Sequence, residues 1–370
     1  MTESTEPLDA RHIALFLPSL RGGGAERVMV LLANGFVARG HRVDLVLARA
    51  EGPYLDEVAA GVRVIDLGRS RVLTSLWRLM RYLRRERPDA MLSAMTHANV
   101  IAIWAKMLAR VPLRLMVSEH SSPSRSHSGG GMARIMQLLV RRFYGKADII
   151  VCVSNGAREE MAALYPALAE RVTTIYNPLD LDRIHRMMEE LVSHRWLEER
   201  DRPVILAVGR LTAAKDYPTL LRAMAHLLDQ RPARLIILGQ GEEEAVLRQL
   251  IHDLGIGEHV DLVGFQKNPF SWMRRCDLYV MSSAWEGLPG SLLEALVCGA
   301  KVVSTDCRTG PREILEDGKW GALVPVGDAH ALAAAIIERL GQSKSVANSQ
   351  RLKDFEPAHI AQRYLKTISQ

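Results

Sequence analysis

The chain has 370 residues, 48% of them hydrophobic, and a formal net charge of +6, a length that predicts two domains rather than one core. No apolar run approaches the length that crosses a bilayer, and the start, Met1 to Pro7, is polar and acidic rather than a signal peptide, so a cytosolic protein is expected. The charge is uneven: residues 1–180 carry 24 Lys plus Arg against 17 Asp plus Glu, the remainder 24 against 25, yet no basic and aromatic stripe or known module points to nucleic acid.

Strand-like runs at 12–18, 42–48, 62–67, 89–94, 113–118 and 148–154 are separated by stretches long enough for helices, the alternation of a parallel sheet covered on both faces. After the first run, Gly22, Gly23 and Gly24 open a predicted helix. A dinucleotide fingerprint needs a further glycine where this chain has Arg27. What survives is a tight turn that requires positive φ, or a helix start that a ligand approaches closely. Between 71 and 85, Val72, Leu73, Leu76, Leu79, Met80 and Leu83 share one helical side, and Arg71, Arg78, Arg81 and Arg85 the other. Packing on the sheet with solvated arginines is the favoured reading. The alternative lays this helix on an anionic membrane, with Trp77 and Tyr82 near the interface.

Tyr176 to Asp180 reads as a turn and 183–202 as a charged helical stretch, which places a hinge near residue 180. A second alternating series follows at 203–208, 235–239, 259–264, 278–281 and 301–305. The run 203–208 leads into Gly209-Arg210 and then Lys215, two cations at the carboxyl end of a strand, where open α/β sheets bind ligands. Arg forks across phosphate oxygens and Lys acts as a point charge. Farther on, Glu286 and Glu294 bracket Gly290, Ser291 and Leu292 in a strand-to-helix turn. Free N–H groups at such a helix start suit a phosphate, and the carboxylates accept hydrogen bonds from hydroxyls. Taken singly, these residues read as surface charges and a helix-start acid. As a set they point to a ligand that bears both phosphate and hydroxyls. Cys152, Cys276, Cys298 and Cys307 lack Cys-x-x-Cys spacing, which argues for reduced structural thiols and against a zinc site.

Gly209-Arg210 with Lys215, followed by Glu286 and Glu294, resembles the carboxyl-terminal domain of retaining glycosyltransferases of family 4. The likeness runs over roughly residues 12–368 and takes in Pro18 to Arg27, Ser118-Glu119-His120 to Pro123, Gly264-Phe265, Asn268-Pro269 and Gly310 to Leu315. It implies an α/β fold of GT-B architecture, two Rossmann-like parallel-sheet domains with an interdomain cleft that takes the ligand. The implied divisions are an acceptor domain at 1–180, a nucleotide-sugar donor domain at 181–355, and a helix at 356–370 that crosses back to the first domain. The implied reaction moves a hexose or N-acetylhexosamine from a nucleotide-sugar, by default a UDP-sugar, to a glycan or polyprenyl-diphosphate-linked saccharide. Configuration is retained, and neither cofactor nor metal is required.

Carried over residue by residue, the resemblance puts Arg210 and Lys215 on the donor diphosphate, Glu294 on the ribose and Glu286 on the transferred sugar. Backbone at Gly290, Ser291 and Leu292 completes the cradle; Gly23, Gly24 and Phe265 also meet the donor. His120 orients the donor sugar or steadies charge near the reacting carbon, so the implied catalytic set is Glu286, Arg210, Lys215 and His120. His97 is given a structural or acceptor-side role. The wording around Phe265, Met273, Cys276 and Thr305 to Glu313 is similar to that of bacterial enzymes that extend lipid-linked glycans. With a basic first domain, this implies a peripheral position on the cytoplasmic face of the inner membrane. Two rivals share the architecture or the ligand. A UDP-N-acetylglucosamine epimerase should carry its own acid/base motifs, which are not found; a silent nucleotide-sugar-binding partner should lack Arg210, Lys215 or Glu286, which are present.

Overall fold

The computed structural model describes residues 10–122, 124, 131–342 and 352–369. Its contacts divide the chain into two compact units. The first holds the described residues up to Val153, Ala157–Pro178 and those from Phe355 onward; the second holds Ser154–Gly156 and Leu179–Asp354.

The first unit is built on seven parallel strands: β1 (His12–Leu17), β2 (Arg42–Leu47), β3 (Val62–Asp66), β4 (Ala90–Ala94), β5 (Arg114–Glu119), β6 (Ile149–Cys152) and β7 (Val172–Thr174), in the order β3-β2-β1-β4-β5-β6-β7. Its helices are α1 (Gly24–Val37), α2 (Leu76–Glu86), α3 (Thr96–Ala109), α4 (Gly131–Phe143) and α5 (Asn155–Leu164). Strand β1 shows why these strands read as unbroken apolar runs. Ala14 and Phe16 enter a core with Leu83, Ile103 and Val140, whereas Ile13, Leu15 and Leu17 enter a second core with Phe36 and Tyr364. With both faces covered, no position along the strand is left for a polar residue. Helices α2, α3 and α4 thus cover one face, and α1 with the C-terminal helix Pro357–Ser369 the other.

The stretch 71–85 departs from one continuous helix. Val72–Ser75 forms a 3₁₀ turn before α2 begins. Three residues per turn instead of 3.6 rotate Leu73 off the apolar side, and it is 63% exposed. Leu79 and Leu83 pack in the core, so the favoured reading, packing on the sheet, holds for that face. Tyr82 is no interfacial aromatic: it is buried, and its hydroxyl donates to Asp44 at 2.6 Å. Arg78 donates to the Leu67 carbonyl at 2.7 Å, leaving Trp77, 63% exposed, as the outward aromatic of the helix.

The second unit has six parallel strands, β8 (Val204–Val208), β9 (Arg234–Leu238), β10 (Val260–Gly264), β11 (Leu278–Met281), β12 (Val302–Thr305) and β13 (Ala322–Val324), in the order β10-β9-β8-β11-β12-β13. Its helices are α6 (Leu181–Met188), α7 (Arg195–Glu199), α8 (Tyr217–Leu228), α9 (Glu244–Asp253), α10 (Phe270–Arg275), α11 (Gly290–Val297), α12 (Pro311–Ile314) and α13 (Ala329–Gly341). The charged stretch 183–202 is therefore two short helices and not one. Strands β7 and β13, absent from the sequence reading, are three-residue edge strands that pair with a single neighbour each. All four cysteines are free and buried.

Candidate functional site

The order of the second sheet locates its ligand edge. From β8 the chain goes to β9 on one side, while β11 goes to β12 on the other, so the loops after β8 and β11 splay apart at the carboxyl edge. Such a reversal point is where open α/β sheets bind ligands. Both predicted charge groups fall there. The loop after β8 continues the ladder beyond the strand: Gly209 N–H donates to the Leu238 carbonyl and Leu211 N–H to the Gln240 carbonyl, each at 3.0 Å. Two glycines make that possible. A Cβ on Gly239 would lie 1.8 Å from the Gly209 oxygen, and one on Gly241 2.2 Å from the Leu211 oxygen.

Lys215 and Glu286 meet directly, Nζ to Oε1 at 2.5 Å, with side chains 20% and 15% exposed. The expectation that Lys215 faces a diphosphate while Glu286 faces a sugar separated two groups that the structure pairs. Their surroundings fix both. Ser283 Oγ donates to the same Glu286 oxygen at 2.7 Å, and Ser282 Oγ donates to the Lys215 carbonyl at 2.7 Å. Thr305 Oγ1 donates to the Ser283 carbonyl at 2.6 Å and Thr309 Oγ1 to the Glu286 carbonyl. Behind Lys215, Tyr217 donates to the Gly209 carbonyl at 3.2 Å, and burial pushes its phenol upward. Arg210 stands apart, 80% exposed, with Glu242 as a loose neighbour at 3.7 Å.

Helix α11 starts after Pro289, whose side chain gives its first amides no cap hydrogen bond. Of the three amides expected to form a cradle, that of Leu292 already has a partner: its N–H donates to the Pro289 carbonyl at 3.1 Å, because the first turn closes tightly. Glu294 lies on the next turn of that helix. Burial pushes the Tyr279 hydroxyl well up, and the charges of Glu294 and Glu286 both add to that rise, so this phenol lies within electrostatic reach of both carboxylates. Gly310, at φ +97°, closes the loop from below, since a Cβ there would fall 2.4 Å from Pro289 Cδ. Phe265, just past β10, is 68% exposed.

In the first unit the reversal point lies between β1 and β4. The glycine-rich loop after β1 is already occupied. Glu26 accepts from Gly22 N–H at 2.7 Å and from Gly23 N–H at 3.0 Å, so the Gly23 amide is not open to a donor. Gly24 faces space clear of the fold. His120 follows β5; its Nε2 is 3.0 Å from Ser118 Oγ, and its buried Nδ1 has no partner among the described residues. Burial holds the imidazole down to about 4, which leaves it neutral near pH 7. Pro123 of the same segment lies outside the described residues. Next to His120 in the chain, buried Glu119 accepts from Thr96 Oγ1 at 2.8 Å, from Asn99 Nδ2 at 3.1 Å and from the Tyr144 hydroxyl, and burial raises its carboxyl. Glu119 falls within the family-like segment 118–123, but nothing in the sequence marked it as buried or as paired with Thr96, Asn99 and Tyr144. Met95, which leads into α3 and His97, has φ +76°, a strained value for a side-chain-bearing residue.

Two Rossmann-like units, each with its chemistry-bearing loops at the carboxyl edge of a parallel sheet, constitute the GT-B architecture. Residues 189–352 match the family model described as glycosyl transferases group 1, and residues 22–183 the model Glycosyltransferase Family 4. The chain is a GT-B glycosyltransferase with a Glycosyltransferase Family 4 domain followed by a glycosyl transferases group 1 domain. It is 31% identical over 252 residues to an uncharacterized glycosyltransferase of Methanocaldococcus jannaschii, covering 66% of this chain and 62% of that relative, less than two thirds of its length. It is 27% identical over 373 residues, 97% of this chain and 99% of the relative, to the N-acetylgalactosamine-N,N'-diacetylbacillosaminyl-diphospho-undecaprenol 4-alpha-N-acetylgalactosaminyltransferase of Campylobacter jejuni. Among solved structures, Anabaena HepE in complex with UDP and glucose has a TM-score of 0.80 at 22% identity, covering 97% of this chain and 99% of that one. No helix among the described residues is long and apolar enough to cross a membrane.

Proposed function

We propose that this glycosyltransferase moves a hexose or N-acetylhexosamine from a UDP-sugar to a polyprenyl-diphosphate-linked saccharide, with retention and without a metal, at the cytoplasmic face of the inner membrane. The observation that carries the donor assignment is the Lys215–Glu286 pair, 2.5 Å apart and nearly buried beside the uncapped start of α11. The acceptor class is supported by the Campylobacter jejuni relative, whose name specifies a diphospho-undecaprenol saccharide.

In this reading Arg210 and Lys215 take the diphosphate, and the amides of Gly290 and Ser291 share its charge. Their positive potential stabilises the departing UDP. Glu286 accepts a hydroxyl of the transferred sugar, Glu294 the ribose hydroxyls, and Phe265 offers its face to the base. The acceptor oxygen bonds to the anomeric carbon on the face that UDP leaves. The carbon–oxygen bond to the phosphate breaks, and the acceptor proton passes to a phosphate oxygen. His120, neutral, orients the sugar by hydrogen bonding rather than by charge.

The test is thermal unfolding of the whole chain with UDP, GDP and ADP, each with and without EDTA. A ligand that binds only the folded state raises the unfolding temperature. A selective shift with UDP that survives EDTA is expected. A shift confined to another nucleotide, or none at all, overturns the donor assignment; a shift abolished by EDTA overturns the metal-free reading.

A further inference from the structure

We propose that α4, with the start of α2, forms a docking face for an anionic lipid bilayer. Helix α4 has two apolar sides. One, with Val140 buried and Met136, Leu139 and Phe143 packed against the core, holds it to the first unit. The other faces outward: Met132 is 73% exposed, Ile135 51% and Leu138 65%. Residues three apart on a helix lie along one side, so these three form a stripe. Among the described residues no partner covers it, and an outward apolar stripe of this kind is an interaction surface, not a folding requirement.

Charge decides the occupant. Helix α4 carries Arg134, Arg141 and Arg142 and no acidic residue; indeed, no Asp or Glu occurs between Glu119 and Asp148. A second copy docked on the same stripe would set arginine against arginine. A surface of anionic headgroups instead meets the guanidinium groups while the stripe enters the acyl boundary. Helix α3 packs against both α2 and α4, so all three form one layer. Leu73, in the 3₁₀ turn before α2, and Trp77, at the start of α2, are each 63% exposed, and Met132 lies at the start of α4. Helices that follow parallel strands begin at the carboxyl edge of the sheet, the edge that carries His120. A bilayer on this face thus lies beside the edge where the first unit presents its site. The proposal rests on the lipid-linked acceptor reading for its purpose, but its geometry is independent of the donor.

The full chain is sedimented with vesicles of phosphatidylcholine alone and of phosphatidylcholine with phosphatidylglycerol, at low and high salt. Two triple variants are compared, Met132→Ser with Ile135→Ser and Leu138→Ser, and Arg134→Gln with Arg141→Gln and Arg142→Gln. Wild type is expected to bind the anionic vesicles at low salt. The apolar triple should bind at least about ten-fold more weakly. The arginine triple, at roughly five-fold per arginine, should bind about a hundred-fold more weakly at low salt and equal the wild type at high salt. If the apolar triple lacks a thermal transition, Leu138→Ser alone is expected to weaken binding about three-fold. Equal binding to both vesicle types, or unchanged binding in the variants, overturns the proposal. So does a wild-type dimer in light scattering that the apolar triple dissociates. The UDP-induced thermal shift, read on the same samples, separates the readings: a missing shift with intact vesicle binding defeats only the donor assignment.

Discussion

Replacing Lys215 by Met keeps most of the side-chain volume and removes the charge. Glu286 would then retain the Ser283 hydroxyl, at 2.7 Å, as its side-chain donor and would stay about four-fifths buried. Breaking a fully buried ion pair costs about 3–5 kcal/mol, because one charge is left without compensation. Partial access of water at this sheet edge lowers the figure to about 2 kcal/mol. For a unit of this size, that corresponds to a fall of about 4–8 °C in unfolding temperature. Adding Glu286→Gln removes the stranded charge, so the double variant should regain most of the loss. Donor binding should not return with it, since neither side chain could then engage diphosphate and sugar as proposed. Differential scanning fluorimetry of the three proteins, with and without UDP, reads both quantities, and a turnover assay should show kcat reduced by about 10²–10³ in each variant. A Lys215→Met protein with wild-type stability, or one with a full UDP shift, would refute the reasoning.

Asp44 gives a pH-dependent prediction. Burial alone would raise its carboxyl, but hydrogen bonds from Arg63, Tyr82 and His12 outweigh that and hold it down to about 2, against 3.8 for a free group. The folded value lies below the unfolded one, so the stabilisation is complete above pH ~4 and fades as pH falls toward ~2, for a total of about 2 kcal/mol. Acid unfolding of Asp44→Asn, followed by circular dichroism, should lack that dependence while the variant is less stable at pH ~6; a parallel curve of unchanged slope would count against it. Gly310→Ala should destabilise the second unit by about 2–3 kcal/mol and weaken the UDP shift, because the added Cβ collides with Pro289 Cδ at a backbone angle that favours glycine. Wild-type unfolding would show that the loop yields. His120, held down to about 4, should contribute no inflection to the pH–rate profile between about pH 6 and 8. An inflection near 6.5 that vanishes in His120→Asn would show that the ring is charged during the reaction.

Much of the fold was legible because buried parallel strands must be apolar along their whole length. The eleven runs read from sequence all became strands, with Leu278–Met281 found at its expected bounds. Strands β7 and β13 escaped because three residues of an edge strand carry no pattern longer than a turn. The 71–85 stretch misled for a different reason. Periodicity assumes one helical pitch, and a single 3₁₀ turn shifts every residue before it to another side. The outward stripe of α4 was hidden likewise: an apolar residue on a helix reads as core whether or not something covers it. Glu119 and Glu26 gave no warning, since a buried acid held by hydroxyls and amides looks in sequence like a solvated one.

The residues of the site were legible as types, but their pairing was not, because pairing is a property of strand order. Lys215 and Glu286 are 71 positions apart and touch only because β11 lies beside β8, so that the loops after both share one edge. Identity alone assigned the cation to phosphate and the carboxylate to sugar; adjacency makes them one unit whose two charges a ligand must share or separate. The same logic distinguishes the two helix starts that sequence treated alike. At α1 the chain supplies its own anion, Glu26, to the glycine amides. At α11 it supplies Pro289, whose side chain accepts nothing, and the first turn of that helix carries no acidic residue. An incoming diphosphate therefore gains more at α11, where it displaces no carboxylate, than at α1, where it must compete with one. That difference favours the second unit as the donor's principal anchor, independently of any relative.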